Sequence, residues 1–450
     1  MRINRRIKLP PKDLLHGNIL EQMLLLFFPF LLSYLLQTVY GFVDNIVLGR
    51  FVGKEGLAAV GGSPTAIINI INNFISGITA AITVIVAQNS GMGNIRKIKD
   101  AIKTGMFISI MLGLGIGIIM IIASPALLNI MNAPVETRSM SLVYMRLYFV
   151  SLVFYFIYQS GMSIFRAVGD SKRPLYFIMI TAVTKIGFDL LLAGVFKLGV
   201  LGTSIATLLS YLICAVLILY IFQFTSDIYQ YSIKDFGYSK DELSRIFTIG
   251  IPFSIQSMMF AIPTTFIQRK LNSFGTDAVA AYTTYNNVDN LFWCFSSAVS
   301  ASTITMAGQN YGNKDIGRVR KIFYCATLLE LFGGLLLGAI FYHYGTAILR
   351  LFTTDPDVLS LSKQMLDVVA SMYWSYTFIE SVSSVCKGCG DAKPIMYIAI
   401  FTILITRTVY ILFYPQLSPI YPVYAFPISW LLSSVVYAIY FFTNKRYKVD

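Results

Sequence analysis

Residues 105–130 read GMFISIMLGLGIGIIMIIASPALLNI, a run without one Asp, Glu, Lys or Arg. About 20 helical residues cross the ~30 Å hydrocarbon layer of a bilayer. Backbone groups inside that layer must be satisfied within the segment, so the run is expected to be a membrane-spanning helix. Reading outward, comparable runs recur along the chain and predict twelve spans. They lie near 19–47, 58–87, 105–130, 141–164, 175–197, 201–224, 247–268, 278–308, 325–348, 361–386, 395–414 and 422–443. Proline punctuates several connections, as at Ala133-Pro134, Arg173-Pro174, Lys393-Pro394 and Tyr421-Pro422. The whole chain of 450 residues is 56% hydrophobic and 13% charged, against about 25% charged in soluble domains. The apolar stretch from Leu20 to Val47 outruns the 7–15 residues of a signal-peptide core, so it is expected to stay as the first span.

A net charge of +13 could mean a nucleic-acid partner, but its placement gives another reading. With a cytoplasmic N-terminus, 24 of the 35 Lys and Arg fall on the cytoplasmic side, eight fall outside and three (Arg146, Lys185, Arg407) fall within spans. That asymmetry follows the positive-inside rule, puts both termini in the cytoplasm and implies no nucleic acid. Five scattered cysteines, two of them in a lone Cys386-x-x-Cys389, make neither a disulfide framework nor a zinc site. His16 and His343 sit far apart in the sequence at membrane edges. No metal site is expected from them.

The two halves resemble each other at a shift of 221 residues. Gln88-Asn89-x-Gly91 returns as Gln309-Asn310-x-Gly312, Gly113-x-x-x-Gly117 as Gly334-x-x-x-Gly338, and Gly169-Asp170 as Gly390-Asp391. With one residue of slip, Gly53 and Ala58-Ala59 match Gly275 and Ala280-Ala281. Six spans per repeat insert with the same orientation. The expected fold is therefore an all-α polytopic membrane protein of twelve helices, in two six-helix bundles related by a pseudo-two-fold axis along the membrane normal, as in transporters. The expected layout is an N-terminal tail (1–18), a first bundle (19–224), a cytoplasmic linker (225–246), a second bundle (247–443) and a C-terminal tail (444–450).

Several segments together resemble the multidrug and toxic compound extrusion (MATE) family over essentially the full length. They are Val43-Asp44-Asn45-Ile46-Val47-Leu48-Gly49-Arg50 with Leu57-Ala58-Ala59-Val60-Gly61, then Ala87-Gln88-Asn89, then Phe165-Arg166-Ala167-Val168-Gly169-Asp170. In the second half, Lys387-Gly388-Cys389-Gly390-Asp391 is similar to the family's Arg-Gly-x-Gly-Asp element, with Lys in the Arg position. The resemblance implies a V-shaped pair of bundles that exports drugs against a proton or sodium gradient.

Ionisable residues inside the membrane are costly and mark function by default. At ~1.5 Å per residue, Asp44 and Thr207 are expected about 9 Å below the outer face and Asp189 about 12 Å below it. Two carboxylates and a hydroxyl at one level of the first bundle suit either Na⁺ or exchangeable protons. The bland alternatives are a solvated helix-end carboxylate for Asp44 and a structural carboxylate for Asp189. By resemblance to the DinF-like branch, Asp44, Asp189 and Thr207 match coupling-ion positions, and Pro29 matches a proline at which the first span bends. Proline removes one backbone bond and crowds the preceding turn, which makes a bend reasonable. The branch often has Asn where Lys185 stands. Lys185 and Asp189 share a helix face at i, i+4, and a fixed ammonium there would compete with Na⁺. Proton coupling is therefore expected, with Na⁺ at Asp44 and Asp189 as the alternative and a purely structural Lys185 as the bland one.

In the second bundle, Phe260 and Tyr376 stand near positions where another branch carries acids. The polar groups there are Gln256, Asp289, Glu380 and Arg407. Asp289 and Glu380 are expected either to meet a cationic substrate or to pair with Arg407. Aromatic faces and methionines attract and fit organic cations, although sequence cannot say which of 34 Phe, 28 Tyr and 17 Met face the pathway.

The expected activity is export of amphiphilic organic cations in exchange for H⁺ by a monomer in the cell (inner or plasma) membrane, with membrane lipid around it and no cofactor. A lipid-linked precursor flippase of the same superfamily is the nearest rival. An enzyme is not expected, because no H-E-x-x-H, G-x-S-x-G or His-centred cluster is present.

Overall fold

The computed structural model describes residues 13–131, 135–225, 227–413 and 417–447. Within its helices, the side chains at 40, 42–45, 54, 55, 57, 58, 63, 135, 136 and 233 lie outside that description. The described chain is all-helical, with no β-strand. Among the described residues, eleven helices are long and apolar enough to cross a membrane. They are polytopic membrane-protein helices: in most of them fewer than half of the residues in the apolar window are buried within the protein, so the rest of the apolar surface faces outward.

The helices run α1 (Ile19–Val47), α2 (Gly53–Gly61), α3 (Ser63–Gly91), α4 (Ile95–Ile130), α5 (Val135–Ala167), α6 (Lys172–Asp189) and α7 (Gly199–Phe224). There follow α8 (Lys240–Asn272), α9 (Thr276–Gly312), α10 (Ile316–Leu349), α11 (Pro356–Ala370), α12 (Thr377–Gly388), α13 (Ala392–Ala399), α14 (Thr406–Phe413) and α15 (Ala425–Thr443). Wider π-helical turns join α1 to α2 (Leu48–Val52), extend α6 (Leu190–Val195) and join α13 to α14 (Ile400–Ile405). Such turns are rare and often lie at functional sites. Here the second of them starts at the residue after Asp189.

The span expected at 361–386 is broken. α11 ends at Ala370, a tight turn covers Tyr373–Tyr376, and α12 resumes at Thr377. Neither piece alone is long enough to cross, which is why eleven long helices correspond to twelve expected spans. The break allows the Tyr373 ring to stack on Phe292 at 3.9 Å with planes 8° apart. The offset to the α10 backbone is also close. A Cβ on Gly338 would lie 2.6 Å from the Ala370 carbonyl oxygen, and one on Gly334 would lie 3.3 Å from the Tyr373 and Trp374 backbone.

The chain packs into two compact units. The first comprises Leu32–Gly250, and the second comprises Leu14–Leu31 together with Ile251 onward. These limits differ from sequence boundaries at 19, 225 and 247. The first thirteen residues of α1, as far as Leu31, pack into the second unit because Met23, Leu26, Phe27 and Phe30 form one helix face and are all buried. Phe27 meets Phe295 edge-on at 5.1 Å. Asn310 donates to the Leu14 carbonyl at 3.0 Å, and Arg318 bonds the Gly17 carbonyl and the Gln22 side chain. Correspondingly, the expected linker ends inside α8, whose opening turns belong to the first unit. Glu242 there is buried, pairs with Arg245 at 3.1 Å and lies 3.5 Å from the Asn89 amide, while Arg245 bonds Gln88.

The internal repeat is structural as well as sequential. Met92 N–H bonds the Gln88 carbonyl and Asn94 N–H the Asn89 carbonyl; Asn313 and Asp315 repeat those bonds onto Gln309 and Asn310. The Asn94 side chain caps α4 through Lys97 N–H, and Asp315 caps α10 through Arg318 N–H. Ser141 bonds the Ala59 carbonyl, as Ser362 bonds that of Ala281. Gly117 faces the Phe149 carbonyl at a Cβ distance of 2.8 Å, the counterpart of Gly338 against Ala370. Small residues at such crossings let backbones approach. Gly338→Val is therefore expected to destabilise the protein by about 1–3 kcal/mol or more through overpacking. Gly115→Val, where a Cβ meets nothing within 4 Å, is the control. Thermal unfolding in detergent checks the pair, and equal midpoints would refute the close-packing account.

Candidate functional site

In the first unit, α6 carries Lys185 and Asp189 one turn apart, and both are buried. The Lys185 Nζ lies 2.5 Å from Asp189 Oδ2. The expected i, i+4 pairing is thus present in the structure, at the last turn before the π-helical segment 190–195. Close packing holds that segment in place, since a Cβ on Gly202 of α7 would lie 2.9 Å from the Leu192 backbone. Thr207 is buried on α7, which packs against α6, and its hydroxyl donates to the Thr203 carbonyl at 3.0 Å. Asp44 lies on α1 four residues before the π-helical turn at 48–52, but its side chain is outside the described residues. Pro29 sits inside a continuous α1, two residues before the chain passes from the second unit to the first at Leu31/Leu32.

In the second unit, α9, the 373–376 turn and α15 bring a cluster of rings up to Asp289 of α9 and Glu380 of α12. Asp289 accepts from Trp293 Nε1 and from the Tyr373 hydroxyl, each at 2.6 Å. Trp293 meets Tyr376 edge-on at 5.0 Å, and Trp430 lies within 6.3 Å of Trp293, Tyr373, Tyr376 and Phe426. Glu380 is half-buried and accepts from Tyr376 at 3.0 Å and Ser384 at 2.9 Å. Gln256 donates to Ser383 at 3.1 Å and lies 3.4 Å from the Tyr437 hydroxyl.

Arg407 does not pair with either acid among the described residues. Its Nε donates to Ser429 at 2.8 Å, and its guanidinium stacks over Phe426 at 4.7 Å. The expected alternative of an Arg407 salt bridge is corrected. The planar guanidinium is held by an aromatic face and a hydroxyl instead, and the two acids are satisfied by phenol, indole and serine donors.

A family model described as MatE matches residues 29–191 and again 248–412. The chain belongs to the MATE family of transporters. The doubled match coincides with the internal repeat. The chain is 24% identical over 399 residues to a probable multidrug resistance protein, YpnP, of Bacillus subtilis (strain 168), covering 88% of each protein. It is 25% identical to a second one of that organism, YoeA, over 86% of this chain and 85% of the relative. Its fold is similar to an outward-facing multidrug resistance MATE family transporter of the MOP superfamily, with a TM-score of 0.87, 21% identity and 95% and 96% of the two chains covered.

Within this MATE chain, sequence reasoning missed Glu330 on α10 and the identity of the aromatic residues. Glu330 is 1% exposed. A lone Glu in the run Ala326-Thr-Leu-Leu-Glu330-Leu-Phe-Gly-Gly334 was the available signal, since an acid inside an apolar span is a functional candidate. The aromatic cluster had no such signal, because its rings come from three separate segments.

Proposed function

We propose that this chain is a secondary active antiporter, of the DinF-like branch, that exports amphiphilic organic cations in exchange for H⁺. In this reading it works as a monomer by alternating access, without a cofactor, as a multi-pass protein of the cell membrane with both termini in the cytoplasm. The substrate class rests chiefly on one observation. Asp289 and Glu380 lie among Trp293, Tyr373, Tyr376 and Trp430, with no Lys or Arg ion-paired to either among the described residues. Carboxylates beside aromatic faces are the complement of a lipophilic cation. Proton rather than sodium coupling is supported by the Lys185–Asp189 pair, because an ammonium already in contact with the carboxylate occupies the place of a hard cation. The coupling group then comprises Asp44, Asp189, Thr207 and Lys185, with Asp289, Glu380, Gln256 and Arg407 in the substrate cavity.

The test follows a fluorescent organic cation in proteoliposomes under separately imposed proton and sodium gradients, with wild type and Asp44→Asn. A proton gradient is expected to drive movement in the wild type and to fail in the variant. Full transport on a sodium gradient at constant pH would overturn the proton assignment. A second reading, the lipid-linked precursor flippase, draws on Arg407, a buried guanidinium with no acid partner among the described residues. Movement of no cation in any gradient, combined with scrambling of a pyrophosphate-linked lipid, would favour it.

A further inference from the structure

Glu330 lies near the middle of α10, and its side chain is enclosed. Neither carboxyl oxygen has a hydrogen-bond partner, and no Lys or Arg pairs with it among the described residues. Four elements pack extensively on α10, and α15 and α1 also reach it, through Phe441 against Phe323 at 4.1 Å and Gln22 against Arg318. From α9 comes Ser296, whose hydroxyl faces the carboxyl without closing a bond. From the 373–376 turn comes Tyr376, whose hydroxyl is given to Glu380. From α12, which packs on α10, comes Glu380 itself, with Lys387 two turns beyond it on the same helix. On α11, Lys363 and Asp367 pair with each other.

An ionised carboxylate in such surroundings would have no counter-charge and at most the single Ser296 hydroxyl to turn toward it, and burial of an uncompensated charge is strongly unfavourable. A neutral carboxyl carries its own donor, and Ser296 Oγ is an acceptor in front of it. Glu380 is different. It is half-buried, it accepts two hydrogen bonds, and through Ser384 it connects to Ser300 at 2.7 Å. An enclosed acid and a half-buried one thus lie on two helices packed together, with a hydroxyl beside each.

We propose that Glu330 is a proton-holding site of the second unit that exchanges its proton with Glu380. In the cation-ready state Glu330 carries the proton and Glu380 is the anion. On discharge the O–H bond at Glu330 breaks, one forms at Glu380, and the negative charge moves onto Glu330, where the Ser296 hydroxyl turns to donate to it. Glu380 is then neutral and no longer holds a cation. Reversal restores the first state, and the pair keeps one proton and one negative charge throughout, since like charges at one site do not both ionise readily. The exchange step rests on the proposed reading that Glu380 meets a cation. The resting protonation of Glu330 does not.

The experiment is infrared difference spectroscopy of the full-length protein in lipid, reading the C=O stretch of a buried protonated carboxylic acid at neutral pH. Wild type is expected to show the band, Glu330→Gln to lose it and Glu380→Gln to shift it. A wild type without the band, or a band that survives in Glu330→Gln, overturns the proposal. Should Glu330→Gln fail to fold, Ser296→Ala carries the assignment, because loss of the facing hydroxyl must shift the band and an unmoved band overturns it. In parallel, tetraphenylphosphonium binding is measured at neutral pH. The shared proton neutralises Glu380 in a fraction of wild-type molecules, so Glu330→Gln, which has no proton to pass on, is expected to bind about two- to tenfold more tightly. Equal affinity in wild type and Glu330→Gln overturns the exchange. Unimpaired binding by Glu380→Gln with the infrared assignment intact would instead defeat the cation-site reading and leave the buried proton standing.

Discussion

Asp189→Ala is expected to destabilise the protein by about 3–5 kcal/mol, the usual effect of removing one partner of a buried ion pair. The Lys185 ammonium is buried and its Nζ lies 2.5 Å from the carboxylate, so deletion of Asp189 strips the charge of that counterion in a low-dielectric interior. Lys185→Met combined with Asp189→Leu is expected to recover most of that loss, because replacing both charges with apolar groups of similar volume is often neutral. Thermal unfolding of the two singles and the double gives the coupling energy directly. Additive losses would show that the pair acts as two independent side chains and would remove the physical basis for proton rather than sodium coupling. Transport separates stability from function: the double variant should fold, yet fail to accumulate cation against either gradient.

Trp430→Ala is expected to have an effect of similar size for a different reason. The residue is fully buried and its ring touches four aromatic neighbours. Truncation of a buried Trp typically costs about 3–5 kcal/mol in lost burial and residual cavity. Two of those neighbours, Trp293 and Tyr373, are the donors that hold Asp289, so the cavity should also loosen that carboxylate and weaken cation binding. Trp430→Phe should lose only about 1 kcal/mol, as the Trp430 Nε1 has no hydrogen-bond partner to forfeit. If the Phe variant proved as damaging as the Ala variant, the role assigned to ring packing would be wrong.

The spans and the repeat were legible because lipid imposes length and apolarity locally, and the glycines at 113, 117, 334 and 338 mark close backbone crossings wherever they fall. The interrupted segment at 371–376 was not legible. Its apolar content is continuous with a span, and only the stacking of Tyr373 on Phe292 and its bond to Asp289, residues more than 80 positions away, reveal why the helix breaks. The Lys185–Asp189 pair was legible for the opposite reason, since i, i+4 spacing on one helix fixes proximity without tertiary knowledge. Arg407 shows the limit of depth arguments. Matching level in the membrane made a salt bridge reasonable, yet the nearest usable partners were a ring and a serine. Glu330 was readable by the rule applied to the other intramembrane acids, but its enclosure and its neighbour Glu380 emerge only from the packing of α10 on α9 and α12.

The docking of Leu14–Leu31 into the second unit bears on how the protein is made. Asn310 lies 296 residues downstream of the Leu14 carbonyl that it binds, and Arg318 is 301 beyond Gly17. During synthesis the beginning of α1 therefore emerges long before the helices that receive it, while its second half already has companions among α2–α7. Contacts of such sequence separation form late and slow folding, and chains usually fold from the N-terminus as they emerge. The start of α1 is therefore expected to stay undocked until α9 and α10 have entered the bilayer. A gene cut within the segment before α8 should yield fragments that are proteolytically fragile when expressed singly and protected when expressed together.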